Sequence, residues 1–231
     1  MNINKIINFF LPGNCVLCNS ALANNERSIC NVCANNLIPK ENLCELCADE
    51  LQDYSSKICG KCMSNPPKWQ QAIIPFSYKG TVGFLLKELK FRHHLGVIEQ
   101  LANKFADTLT KLEPKMPDMI IPVPLHRSRL AKRGFNQSFE IAKNIAAYIQ
   151  VPIANNVCYR SKNTMAQTGL NSKVRQENLK HAFNLAQPEM IKNKHIVLFD
   201  DVFTTGATLN SIARTCRPAK RIDIWCIAKT V

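Results

Sequence analysis

The sequence lacks an apolar run long enough to cross a membrane. A few apolar residues near its start are interrupted by Asn8 and ended by Pro12, and no small-residue cleavage site follows them. A membrane-spanning helix needs about 20 consecutive apolar residues, and a secretory signal needs such a cleavage site. We therefore expect no membrane insertion and a cytoplasmic chain, in which structural disulfides are rare because the cytosol keeps thiols reduced.

Acidic residues are too few to balance the basic ones, and the imbalance is confined to one part of the chain. The sequence has 30 Lys/Arg and 17 Asp/Glu, and six of each lie in residues 1–70, so the formal excess of +13 belongs entirely to residues 71–231. A basic field attracts phosphate groups, whether of a nucleotide or of a nucleic-acid backbone. Since no run of Lys/Arg is longer than two, a solvated basic surface without a specific ligand stays open as the alternative.

Cysteine, in contrast, is abundant at one end, where eight of the eleven residues lie between positions 15 and 62. They form four Cys-x-x-Cys pairs, and the pattern that starts at Cys15 starts again 29 residues later at Cys44, which indicates an internal duplication. Two such pairs complete the tetrahedral S₄ shell of a structural Zn²⁺ site. The sequence therefore predicts two structural zinc sites, made by Cys15, Cys18, Cys30, Cys33, Cys44, Cys47, Cys59 and Cys62.

The pairing of these cysteines is not decided by their spacing. Equal intervals favour two sequential sites, but an interleaved arrangement would preserve the same repeat. Redox-active Cys-x-x-Cys pairs are the main rival, although four of them without a βαβ context would be unusual. We interpret residues 1–68 as a scaffold or interaction module that gains much of its folding energy from metal, and residues 69–231 as a second domain.

The second domain alternates apolar stretches of strand and helix type. Pro75 indicates an edge or a bend in the first strand, and later apolar residues recur at the spacing of amphipathic helices. Alternation of this kind predicts a mostly parallel α/β sheet flanked by helices. The predicted strands are 72–78, 119–123, 196–199 and 222–228, and the predicted helices are 82–89, 95–109, 135–149 and 208–216.

The segment 196–208 combines an apolar strand, an acidic pair and a Thr/Gly loop. The adjacent carboxylates of Asp200 and Asp201 would repel each other unless a cation or hydroxyl donors met them. The loop offers hydroxyls, backbone N–H groups and a helix N-terminus, all of which suit a phosphate. The segment lacks the Gly-Lys-Ser/Thr ending of a Walker loop and resembles the phosphoribosyl pyrophosphate signature of type I phosphoribosyltransferases. An ordinary strand, turn and helix would explain the apolar run but not the acids and the three threonines together.

Other motifs extend the resemblance over nearly the whole chain. They are IPVPLH at 121–126 followed by Arg127 and Arg129, RGFNQS at 133–138, a stretch that runs from Arg160 to Phe183, and the Cys-rich module joined through Pro66, Pro67 and Trp69. In combination these motifs resemble the ComF competence family, which includes the GntX-type proteins. The resemblance implies a type I phosphoribosyltransferase-like domain preceded by a small double zinc-ribbon module.

The same resemblance implies a binding site for phosphoribosyl pyrophosphate or a related phosphoribosyl ligand. Its acidic pair would contact the ribose hydroxyls, directly or through Mg²⁺, its loop would hold the 5-phosphate, and two arginines would lie near the pyrophosphate. Residues 164–175 would form the mobile loop that covers the site. The implied ligand residues are Asp200, Asp201, Thr204, Thr205, Gly206, Ala207, Thr208, Arg127 and Arg133. A solvated helix start is the alternative for the basic residues at 127–133.

Family resemblance also implies a role in natural transformation, as a factor that handles incoming single-stranded DNA, together with a helicase or recombination proteins. Arg129, Lys132 and Arg133 are the candidate DNA contacts, while aromatic residues that could stack on bases are few. The alternative is a metabolic phosphoribosyltransferase, in which Mg²⁺ and basic residues would stabilise the leaving pyrophosphate. The sequence identifies neither an acceptor nor turnover, and a metal-stabilised adaptor without a ligand is the third interpretation.

Overall fold

The computed structural model describes residues 13–23, 26–161 and 182–230. In its first part the backbone repeats as the cysteine spacing predicts. An isolated β-bridge joins Asn14 to Ala21, and its counterpart, 29 residues further along, joins Leu43 to Glu50. Each half also carries one short helix directly after the first cysteine of its second pair. These helices are α1 (Asn31–Asn35) and α2 (Gly60–Ser64).

Strands and helices alternate along the second part. Its strands are β1 (Gln71–Ile73), β2 (Phe76–Ser77), β3 (Met119–Pro122), β4 (Cys158–Arg160), β5 (Phe183–Leu185), β6 (His195–Phe203) and β7 (Arg221–Lys229). Its helices are α3 (Gly80–Arg92), α4 (Val97–Leu112), α5 (Arg127–Arg133), α6 (Gln137–Ile149) and α7 (Ala207–Thr215), with a 3-10 turn at Pro188–Met190. Within the described ranges, no helix is both long and apolar enough to span a bilayer.

The main sheet has the strand order β1-β7-β6-β3, and β2 adds to β7 beyond the end of β1. All of these pairings are parallel, so the carboxyl ends of β3, β6 and β7 meet at one edge. Strands β4 and β5 form a separate antiparallel pair. The predicted fold class, a mostly parallel sheet with helices preceded by a Cys-rich double ribbon, is confirmed. Ligands of such sheets bind beyond the carboxyl ends of the strands.

Both faces of the main sheet are covered, which explains why β6 and β7 are buried almost throughout. On one face the rings of Phe199 and Trp225 lie 5.9 and 5.7 Å from the ring of Phe105, which α4 supplies. On the other face α7 packs through Leu209 and Ile212, both fully buried or nearly so. The sheet is therefore a fixed platform for the loops at its carboxyl edge.

The two parts of the chain are in direct contact. Cys15 and Ile29 of the first ribbon are buried in the same apolar cluster as the core side chains of α3 and α4. The second ribbon is held by backbone bonds, for example from the Ala72 N–H to the Glu45 carbonyl at 2.6 Å. The division at residues 68 and 69 stays a prediction, since the shared core runs across it.

The structure refines the element boundaries predicted from the sequence. Pro75 does interrupt the first strand, as the sequence indicates, and splits it into β1 and β2. The segment 127–133 forms a helix of its own, which ends at Gly134 with φ +79° before Asn136 caps α6. The predicted strand 196–199 corresponds to β6, and its predicted end at Phe199 is wrong. Strand β6 continues to Phe203, because its last residues pair in register with the last residues of β7. Backbone pairing with a neighbour outweighs the low strand preference of two aspartates.

Candidate functional site

The eight cysteines of the ribbons form two separate four-thiol clusters. The sulfur atoms within each cluster lie within 4.8 Å of one another, and the clusters are sequential: Cys15, Cys18, Cys30 and Cys33, then Cys44, Cys47, Cys59 and Cys62. The interleaved pairing is thereby excluded. Four thiolates at this separation match the closed tetrahedral shell of structural zinc, with no position left for a substrate. We conclude that the chain has two Cys₄ zinc-binding sites.

Asp201 is buried at the carboxyl edge of the sheet and is held by two partners. The ammonium group of Lys90, from α3, contacts its Oδ2 atom, and the side chains of the pair are only 15% and 5% exposed. The Gln137 side-chain amide donates to Asp201 Oδ1 at 3.0 Å, and Gln137 in turn accepts from Arg133 Nη1 at 2.6 Å. Burial would raise the pKa of Asp201, but the Lys90 charge holds it below its usual value. Asp201 is thus an ionised and internally compensated carboxylate.

Asp200 has a different environment. The Ser138 hydroxyl donates to its Oδ1 atom at 2.9 Å, and the Asp201 backbone N–H donates to the same oxygen at 2.9 Å. Burial, followed by the charge of Asp201, raises the pKa of Asp200 to about 7. Its carboxylate is only partly buried. The charge of Lys90 acts in the opposite direction, but the protein stabilises the ionised form of Asp200 less than that of Asp201.

The Thr/Gly loop lies between β6 and α7. Thr204 and Thr205 are exposed, while Gly206 is buried in the left-handed conformation with φ +72°. A Cβ at Gly206 would come within 2.8 Å of the Phe203 ring, so only glycine fits there. Gly206, the N-cap residue of α7, provides no side-chain cap, and the Thr205 hydroxyl accepts from the Ala207 N–H at 3.4 Å. Hydroxyls, amides and the positive helix end together suit an anion.

The guanidinium group of Arg129 lies close to those of Arg133 and Arg160, and the Arg160 group lies near Asp200. Burial lowers the pKa of Arg129, and the neighbouring charge of Arg133 lowers it further. Burial likewise lowers the pKa of Arg160, together with the charge of Arg129, while Asp200 acts in the opposite direction. The three positive charges are thus close enough to repel one another. Such an arrangement favours a polyanion.

The structure sorts the basic residues of α5 by exposure. Arg127 and Lys132 are exposed to solvent, whereas Arg129 and Arg133 are partly buried. Arg133 is also turned toward Gln137, through which it reaches Asp201. The turn before α5 is fixed from the other side, since the Asn136 side chain donates to the Val123 carbonyl at 3.0 Å. The roles assigned to these residues from the sequence stay predictions.

Four contributors to the site were not assigned a role from the sequence. Lys90 occurs in an amphipathic helix without any motif, so no sequence signal could have found it. Gln137, Ser138 and Arg160 fall within the stretches that carry the family resemblance, and that position was the available signal. The predicted covering loop, 164–175, lies outside the described residues.

Comparison with known proteins gives consistent full-length relatives. Residues 6–63 match the family described as double zinc ribbon domain. Competence protein F of Haemophilus influenzae is 32% identical over 231 residues, covering 97% of this chain and 100% of that protein. DNA utilization protein YhgH of Escherichia coli K12 is 31% identical, covering 96% and 99%. Competence protein ComFC of Bacillus subtilis is 25% identical, covering 77% and 79%.

Solved structures provide a weaker likeness. The glutamine phosphoribosylpyrophosphate amidotransferase from B. subtilis matches with a TM-score of 0.41 at 12% identity. The match covers 62% of this chain and 30% of the amidotransferase chain. The purine phosphoribosyltransferase from Pyrococcus horikoshii matches with a TM-score of 0.36 at 19% identity. The match covers 57% of this chain and 72% of the phosphoribosyltransferase chain. Both TM-scores are below 0.5, so this likeness bears on neither ligand nor activity.

Proposed function

The chain belongs to the competence protein F family. From that premise we propose that it is a cytoplasmic competence factor. In this role it binds phosphoribosyl pyrophosphate and assists the handling of single-stranded DNA in natural transformation. The observation that carries the phosphoribosyl part is the convergence of three kinds of group at one edge of the sheet. They are the carboxyl group of Asp200, the Thr/Gly loop 204–208, and the cluster of Arg129, Arg133 and Arg160.

Each group matches one part of the ligand. The ribose hydroxyls would donate to Asp200, since the hydrogen bonds from Ser138 and from the Asp201 amide both use its Oδ1 atom. The 5-phosphate would accept from the loop amides and the Thr204 and Thr205 hydroxyls, at the positive end of α7. The pyrophosphate would lie against the guanidinium cluster, where charge-assisted hydrogen bonds are strongest. The internal pairing of Asp201 with Lys90 leaves Asp200 as the carboxylate that meets the sugar.

Magnesium fits this donor set only in company with the ligand. Mg²⁺ prefers oxygen ligands and is usually bound by one or two carboxylates plus substrate phosphates. Asp200 supplies a carboxylate oxygen, while Asp201 is already occupied by Lys90. We propose that Asp200 would hold the ion together with oxygens of phosphoribosyl pyrophosphate. The ion would neutralise pyrophosphate charge, and the protein residues orient the sugar and its phosphates.

The proposed handling of DNA is supported by the positive charge of residues 71–231 and by the names of the relatives. Two of the relatives are named as competence proteins and one as a DNA utilization protein. The excess of +13 lies wholly outside residues 1–70, and such a field attracts a phosphate backbone. We propose Arg129, Lys132 and Arg133 as DNA contacts, of which Lys132 is the most exposed to solvent. Competence helicase or recombination proteins are the proposed protein partners.

A transformation assay tests this function. A deletion strain is complemented with wild type, with Asp200→Asn, or with the control Asp107→Asn, which changes an exposed aspartate on α4. We expect wild type and the control to restore uptake and Asp200→Asn to fail. Normal transformation in the deletion strain would contradict the competence role, and altered nucleotide pools there would favour a metabolic phosphoribosyltransferase. Full rescue by Asp200→Asn would show that transformation does not need the proposed phosphoribosyl site.

A further inference from the structure

A groove runs along α7 on the side of the sheet that faces the second ribbon. Its larger cavity, of about 1120 Å³, begins at Thr204 and Thr205 and passes Asn210 and Ser211. A smaller cavity of about 240 Å³ lies at the start of β7. The two cavities share three lining residues, which makes them parts of one groove. The shared residues are Lys68, Arg214 and Arg217.

These three shared residues are all cations with exposed side chains. In the described part of the chain, none of their side chains has an ion pair or a hydrogen bond, although the Lys68 backbone N–H donates to Asn210 Oδ1 at 3.3 Å. Lys220 adds a fourth exposed cation to the smaller cavity, whereas Arg221 is neutralised by Asp223 at 2.9 Å. Attraction to the negative end of α7 explains the position of Arg214 in the last turn of this helix. It does not explain the position of Lys68, which lies in the linker. The groove therefore has a positive centre that the described residues leave uncompensated.

Negative groups border only the opposite end of the groove. Asp49 lines the larger cavity but pairs with Lys229 at 2.5 Å. The thiolates of Cys47 and Cys62 also lie there, and Lys61 is next to them. Lys229 thus offsets the charge of Asp49, and Lys61 offsets part of the negative charge of the cysteine cluster. The repulsion that a bound anion would meet is confined to this end.

The lining chemistry favours a chain of phosphates over a planar ligand. The aromatic residues of the wall are Trp69, Phe183 and Phe203, which are only 4%, 2% and 5% exposed, and Trp69 and Phe203 pack edge to face at 6.2 Å. They offer no free ring on which a base could stack. Successive cations beside a Thr/Gly loop, by contrast, suit repeated phosphates, because this loop has the hydroxyls and amides that phosphate accepts from.

We propose that the groove formed by Lys68, Arg214, Arg217 and Lys220 binds the phosphodiester backbone of a single-stranded nucleic acid, independently of base sequence. The inference rests on the proposed handling of single-stranded DNA and adds to the contacts proposed at Arg129, Lys132 and Arg133 a second contact surface, which the sequence did not suggest. It makes α7 the boundary between two anion sites, with the phosphoribosyl site at its N-terminus and the nucleic-acid backbone along its side.

Fluorescence anisotropy of a labelled oligothymidylate with the zinc-loaded full chain tests the groove. The test variant carries Lys68→Gln, Arg214→Gln and Arg217→Gln. The control variant loses the same charge from exposed lysines on α3, α4 and α6, and carries Lys87→Gln, Lys111→Gln and Lys143→Gln. Affinity is measured over a series of salt concentrations for both variants and for wild type. Unlabelled polyglutamate serves as the competing polyanion.

We expect the test variant to bind the oligonucleotide about tenfold or more weakly, and its salt slope to fall by about 2, since each single-strand phosphate contact contributes about 0.7. The control variant should bind like wild type within a factor of about two, because counterion release depends on contacts and not on distant charge. Equal weakening in both variants, or none in either, would overturn the groove assignment while leaving DNA handling intact. Failure of wild type to bind DNA at all would instead contradict the proposed function. Polyglutamate that displaces the strand as well as unlabelled DNA does would overturn the nucleic-acid assignment in favour of an acidic protein.

Discussion

Lys90 on α3 and Asp201 on β6 form a buried ion pair at the carboxyl edge of the sheet. Their pairing resolves the repulsion between the two adjacent aspartates without any ligand, because one carboxylate is neutralised from inside the protein. Asp200 is left with two hydrogen bonds to a single oxygen. The acidic pair is therefore divided into an anchor, Asp201, and Asp200, the group that we propose meets the ligand.

The anchor should be needed for stability. Asp201→Asn leaves the Lys90 ammonium buried without its counter-charge, and breaking a buried pair in this way costs about 3–5 kcal/mol. We expect a loss of that order in the free energy of unfolding, measured by denaturant titration. The double variant Lys90→Met/Asp201→Asn removes both charges and should recover much of the loss. A double variant no more stable than Asp201→Asn would contradict the pairing.

Stability should depend on pH through Asp200. Burial raises the pKa of this carboxyl from 3.8 to about 7 in the folded protein, so between these values the folded state holds a proton that the unfolded state has lost. The free energy of unfolding then falls as the pH rises. Relative to Asp200→Asn, wild type should lose stability from about pH 4 to about pH 7, in unfolding experiments without Mg²⁺.

Asp201 does not obscure this window. Its pKa is lowered in the folded protein, so its contribution is complete above its ordinary pKa and is lost only as the pH falls below that range. Asp107→Asn, an exposed change, should run parallel to wild type. A constant difference between wild type and Asp200→Asn over the window would show that Asp200 is already ionised at about pH 5.

Gly206 should be indispensable to the phosphate loop. Its φ is +72°, and a Cβ added there would lie 2.8 Å from the Phe203 ring, so Gly206→Ala strains the backbone and displaces that ring. The left-handed conformation alone costs about 1–2 kcal/mol. We expect phosphoribosyl pyrophosphate affinity to fall about tenfold or more in calorimetric titration. Gly60→Ala, where a Cβ meets nothing within 4 Å, should leave the affinity unchanged.

The second zinc site should support the loop more than the first does. The Trp69 indole N–H donates to the Leu46 carbonyl at 2.7 Å, inside the second cluster, and its ring packs on Phe203 beneath the loop. We expect wild type to carry two zinc ions per chain and Cys47→Ser or Cys18→Ser to carry one. Only Cys47→Ser should also weaken phosphoribosyl pyrophosphate binding. Equal effects of both variants on binding would refute this coupling.

Patterns in the sequence predicted the structural features that depend on residue spacing. They did not predict contacts between segments that are distant in the chain. The period of 29 residues predicted two metal sites, and apolar alternation predicted the parallel sheet, because both reflect local geometry. Sequential pairing of the cysteines needed the structure, since two arrangements share that period. Lys90 and Asp201 are far apart in the chain, and no pattern in α3 marks one lysine as the partner of a strand residue.

The most direct test of the phosphoribosyl site is a calorimetric titration with phosphoribosyl pyrophosphate, with and without Mg²⁺. Wild type and Asp107→Asn should bind in the presence of Mg²⁺, and Asp200→Asn, which keeps the Lys90–Asp201 pair, should not. Absence of binding by wild type, or undiminished binding by Asp200→Asn, would contradict the account.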